Sequence, residues 1–90
     1  MAKAKSASAI AEDATLAREV ARADYFTAFM RYGPIDKVRS EPLPTYEAAR
    51  QRADEYQADS KFGRQAVVYA VNSLGSFPVD EELAKLAGLI

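Results

Sequence analysis

Apolar residues recur at three- and four-residue steps from Ile10 through Ala14, Leu16 or Ala17, Val20 and Ala23, the spacing of one helical face. Glu12 and Asp13 stand early and Arg18 and Arg22 late, as the helix dipole prefers, and the intervening alanines raise helix propensity. The pattern predicts a first helix. Residues 1–8, alternating Ala and Ser with Lys3 and Lys5, offer no large side chain to bury and are expected to form a flexible tail ahead of one domain over 9–90.

Tyr25-Phe26-Thr27-Ala28-Phe29-Met30-Arg31-Tyr32 fits two templates. As a strand it places Phe26, Ala28, Met30 and Tyr32 on one face, with Tyr25, Thr27, Phe29 and Arg31 on the other. As a helix it continues the Leu16, Val20, Ala23 stripe and makes residues 12–32 one long element in a mostly α chain. The strand is preferred, because Gly33-Pro34-Ile35-Asp36 supplies turn chemistry and Lys37-Val38-Arg39-Ser40 resumes alternation, which together make a hairpin.

Pro42 and Pro44 end that hairpin, and Thr45 is placed to cap a helix over Tyr46 to Asp59 whose apolar positions are Ala49, Ala53 and Tyr56. After a break at Ser60-Lys61-Phe62-Gly63 comes Ala66-Val67-Val68-Tyr69-Ala70-Val71, a run without alternation, as in a strand covered on both faces. Asn72 to Ser76 reads as a turn, and Pro78 to Leu86 as a last helix, capped near Asp80 and ended by Gly88. The expected fold is α+β in the order helix, strand, strand, helix, strand, helix, built on a small three-stranded sheet. A strand apolar on both sides needs a second covering layer, supplied either by the first helix or by a partner subunit, and an open sheet edge makes a homodimer a reasonable expectation.

Composition narrows the chemistry. The chain has 90 residues, 49% hydrophobic and 28% charged, enough for one core and too apolar for disorder. The net charge of −1 draws it neither to nucleic acid nor to an anionic membrane as a whole, so any electrostatic footprint must be local. Cysteine and histidine are both absent, which removes thiolate nucleophiles, disulfides, the commonest general base and the commonest transition-metal ligand. No apolar run is long enough to span a membrane, and Glu12 and Asp13 interrupt any secretory segment, so a cytoplasmic location is expected.

The acidic neighbours Glu12 with Asp13, Asp54 with Glu55, and Asp80-Glu81-Glu82 read as helix-end and solubility features, and no catalytic, cofactor-binding or metal-ligating residue is assigned. Among the cations, Arg31, Lys37 and Arg39 lie on the hairpin, while Arg50 and Arg52 lie on the middle helix. A sheet face carrying Tyr25, Phe29, Arg31 and Arg39 would suit stacked bases and phosphates. Against this, Arg50, Arg52, Lys61 and Arg64 are matched by Glu47, Asp54, Glu55 and Asp59, which leaves that segment neutral. Ile10, Leu16, Val20, Phe77 and Leu86 are the candidates for an association surface if they are not consumed by the core.

The stretches from Tyr25 to Pro34, Glu47-Ala48-Ala49 and Gly63 to Ala70 resemble small uncharacterised proteins of alphaproteobacteria, a resemblance that implies no activity and no site residue. The hairpin followed by a helix is also similar to the arm-type DNA-binding modules of tyrosine recombinases. Here, however, a third strand follows the helix, so no DNA-contacting residue carries over. The sequence alone thus points to a non-enzymatic domain acting through protein association or as a homodimer, with nucleic-acid binding through Arg31, Lys37, Arg39, Arg50 and Arg52 as the alternative.

Overall fold

Two devices written into the chain set the helix starts. Thr45 Oγ1 accepts from Ala48 N at 3.1 Å, and Asp80 Oδ1 accepts from Leu83 N at 2.8 Å, each satisfying an N–H that a helix leaves without a partner. A computed structural model describes the backbone of residues 7–60 and 64–90, and side chains from residue 14 onward within those limits. The elements are α1 (Ala7–Ala21), β1 (Tyr25–Arg31), β2 (Lys37–Arg39), α2 (Tyr46–Ala58), β3 (Val67–Asn72), β4 (Gly75–Val79) and α3 (Glu81–Leu86).

The fold is α+β, with three helices and a four-stranded antiparallel sheet in the order β2-β1-β3-β4. It repeats one connection, helix to central strand to edge strand, with β1 and β3 as the central pair. The aromatic segment is a strand, so the long helix over 12–32 does not exist: Arg22 N and Ala23 N close the last turn of α1 on Glu19 O and Val20 O, and Asp24 N then donates to Val71 O at 2.8 Å. The helix takes in Ala7 and Ser8, which the sequence had placed in a tail. Residues 61–63, most of the expected break, lie outside the described residues.

β4 departs furthest from the sequence reading. Gly75-Ser76-Phe77-Pro78-Val79, read there as turn and helix start, pairs with β3 from Asn72↔Gly75 to Val68↔Val79. Asn72 Oδ1 accepts from Leu74 N at 2.8 Å to shape the two-residue turn, and Gly75 leaves it at φ 143°, where a side chain is strained. Pro78 is tolerated because β4 is an edge strand, where half the backbone N–H groups have no neighbour to donate to. The last helix consequently begins at Glu81 rather than Pro78, and Gly88, at φ 75°, ends it as expected.

All three helices lie on one face of the sheet. The inward pleat positions Phe26, Ala28, Met30, Val68, Ala70 and Val79 are buried in one cluster with Val20 of α1, Ala49 and Ala53 of α2, and Leu83 and Ala84 of α3. Ala28 of β1 and Ala49 and Ala53 of α2 are wholly buried, so α2 rests on β1 and β3 through small side chains at close approach. The sequence pattern predicts cover on both faces of β3, but among the described residues no helix covers its second face. Val67, Tyr69 and Val71 point away from the helices and remain half-exposed. Among the described residues no helix is long and apolar enough to cross a membrane.

This packing predicts opposite faults with similar costs. Met30→Ala, which leaves a cavity where a side chain is fully buried, is expected to lower unfolding free energy by about 2–5 kcal/mol. Ala53→Leu, which wedges α2 off the sheet, is expected to cost about 1–3 kcal/mol. Urea unfolding measures both, and an Ala53→Leu protein as stable as the parent would show that α2 does not lie against the sheet through that position.

Candidate functional site

The pairing register lays out the face that no helix covers. Its outward positions are Tyr25, Thr27, Phe29 and Arg31 on β1, Lys37 and Arg39 on β2, Val67, Tyr69 and Val71 on β3, and Ser76 and Pro78 on β4. Three of these are cations and none is an anion. Phe29 lies opposite both Arg39 and Val67, and Thr27 lies opposite Tyr69, so two rings and a guanidinium meet at the centre of the face.

That centre is ordered. The rings of Phe29 and Tyr69 stand edge to face, with centroids 6.2 Å apart and planes at 77°. The Arg39 guanidinium carbon lies 5.4 Å from the Phe29 centroid and 5.3 Å from that of Tyr69, within cation–π range of both. Arg39 Nη1 also donates to Thr27 Oγ1 at 3.3 Å, and Thr27 is buried although it faces outward. Beside this cluster Arg31 and Lys37 sit directly opposite each other. Like charges so placed oppose pairing by roughly 0.2–1 kcal/mol. Neither forms an ion pair or side-chain hydrogen bond among the described residues.

The other two candidate cations are elsewhere and occupied. Arg52 of α2 grips Glu41 with two hydrogen bonds, of 2.7 and 2.8 Å, and also reaches Glu55 at 3.5 Å; Arg50 pairs with Asp54 at 3.0 Å. They belong to the helical side and do not extend the sheet-face cluster. The Arg52 contact holds the Glu41 carboxyl below the usual carboxylate range and raises the value of Arg52 itself. It fixes the crossing from β2 to α2, which Ser40 also shapes by accepting from Ala28 N at 2.9 Å and donating to Glu41 O.

The association candidates separate in the same way. Val20 is fully buried and Phe77 packs inward against the core, so both are spent on folding. Leu16 and Leu86 are exposed, while the side chain of Ile10 lies outside the described residues. A cleft of about 390 Å³ between α2 and α3, lined by Tyr46, Gln51, Asp54, Glu81 and Ile90 among others, has some of its charges already paired: Asp54 with Arg50, and Glu81 with Lys85 at 3.4 Å. Burial raises the Tyr46 hydroxyl above its ordinary value there. Among the described residues no three acids converge as a cation site.

The sequence reading found Tyr25, Phe29, Arg31 and Arg39 on one face and missed the contribution of β3. The sequence pattern assigns Val67, Tyr69 and Val71 to the core along with Val68. An unbroken apolar run cannot distinguish a strand covered on both faces from one that leaves apolar side chains on an open face; only the position of the helices does. The chain matches no family model, no curated protein and no solved structure, so its function must be argued from this geometry.

The Glu41–Arg52 contact makes a pH prediction. Because the folded-state value of Glu41 is depressed, its stabilisation is present above the unfolded-state range and is lost as pH falls through the folded-state value. In Arg52→Gln, Glu41 is expected to titrate in the usual carboxylate range by NMR, and stability on the acid side to fall less steeply. An unmoved Glu41 would assign its shift to some other group.

Proposed function

We propose that this chain is a non-enzymatic binding module that takes single-stranded nucleic acid on its open sheet face. The observation that carries the reading is the outward cluster of Phe29, Tyr69 and Arg39 beside the Arg31–Lys37 pair, an aromatic platform with cations and no anion. Bases supply π-faces to stack on rings or on a guanidinium plane, and phosphates supply the charge that an opposed Arg and Lys lack. The lack of His and Cys supports a binding role over catalysis, because the commonest proton-transfer and thiolate chemistry is missing. A net charge of −1 is compatible with it, since none of the outward strand positions is an acid.

A second reading, self-association, is favoured by the seam where α1 meets α3. Leu86 is 61% exposed there, over a shallow groove floored by Ala14, Ala17 and Ala21. It predicts a dimer by sedimentation equilibrium that Leu86→Glu dissociates, and a monomer at high concentration would remove it.

Fluorescence anisotropy with a labelled oligothymidylate tests the first reading. Binding is expected at about 50 mM salt and to weaken steeply by about 200 mM, as phosphate contacts require. Replacing both Phe29 and Tyr69 by Ala should cost about 1–3 kcal/mol for each base that loses its stack. Binding no tighter than to a polyglutamate of equal length would redirect the surface to acidic protein partners, and no binding at low salt would end the nucleic-acid reading.

A further inference from the structure

Building on the nucleic-acid reading, we infer that the ligand runs lengthwise along β2, its backbone over Lys37 and Arg39 and its bases turned inward onto Phe29 and Tyr69. The footprint is short. All three outward cations lie on β1 and β2, whereas the outward positions of β3 and β4 are Val67, Tyr69, Val71, Ser76 and Pro78, without charge. A strand crossing the sheet from β2 to β4 would carry its later phosphates over valine and proline, where nothing replaces their solvation. A strand following β2 keeps them over cations. Lys37 and Arg39 are two residues apart on an extended chain and so about 7 Å apart, with Arg31 flanking on β1. The rings stand one and two strands further in, at about 4.8 Å per strand, on the side to which the bases must then turn.

Arg39 has a double position in this arrangement. Its guanidinium is shared between the cation row and the ring pair, tethered by Thr27. It marks the place where a backbone phosphate and its stacked base meet the protein together. The footprint is therefore at most three phosphates, one to each outward cation, and the bases that two rings can stack.

Oligothymidylates of rising length, each titrated across a salt series, provide the test. Affinity per binding register should level off by about four nucleotides. The slope of log affinity against log salt should be about −2, the value for three phosphates on a single strand, and Lys37→Gln should make it shallower by about 0.7. Tyr69→Leu should weaken binding roughly tenfold without changing the slope, because it removes a stack and no charge. Arg50→Gln, on the helical side, should change neither. Affinity that climbs past about eight nucleotides, or a slope of −4 or steeper, would overturn the short lengthwise path while leaving the sheet face as the binding surface. Absence of binding to every length at low salt would overturn both.

Discussion

The close seating of α2 on the sheet is the contact from which the rest of the structure follows. Ala49 and Ala53 meet a sheet whose inward positions include Ala28 and Ala70, and all four are essentially without exposure. Small side chains let helix and strands approach, and the larger Phe26, Met30, Val68 and Tyr46 fill the margins; Phe26 and Tyr46 meet edge to face at 6.4 Å. A chain of this size has little apolar surface to distribute, and concentrating it on one side of the sheet makes a single core. Among the described residues no helix covers the opposite side as a result. The open face is thus the complement of the core, produced by the same choice of residues.

Electrostatics sorts the two sides differently. The cations of α2 and α3 are matched at short range, Arg52 with Glu41 and Glu55, Arg50 with Asp54, and Lys85 with Glu81. Exposed pairs of this kind contribute little to stability, but they leave little unbalanced field behind. On the sheet side Arg31 and Lys37 oppose each other and, among the described residues, have no counter-charge, while Arg39 is met there by two rings and a hydroxyl. A local arrangement that works against pairing is the kind of conflict expected where a surface is shaped for something other than folding.

Much of this was legible in the sequence, and the failures have physical causes. The hairpin from Tyr25 to Arg39 followed from alternation and a Gly-Pro turn, and the caps at Thr45 and Asp80 from side chains that accept backbone N–H groups. β4 was hidden because Gly75, Ser76 and Pro78 are poor strand formers, and its pairing comes from β3 and the turn that Asn72 organises. Asn72 also donates to Glu19 O at 3.2 Å, tying the end of α1 to the same place, a link across the chain that no local pattern announces. Val67, Tyr69 and Val71 misled for the opposite reason. They are apolar yet half-exposed, and their place on the open face was hidden because they resemble core.

The borders of the sheet limit how anything can bind to it. β2 offers only three residues before Ser40 turns its hydroxyl to Ala28 N and Pro42 interrupts the line, and β4 carries a proline in its middle. Neither margin presents a run of vacant donors and acceptors onto which a visiting strand could zip. Recognition by backbone addition, which is tolerant of the visitor's sequence, finds only short or interrupted edges here. What remains is contact through side chains standing on the pleats. Most of those side chains lie outside the core, so the chemistry of this face can change by substitution at a few outward positions while the ladder beneath stays intact.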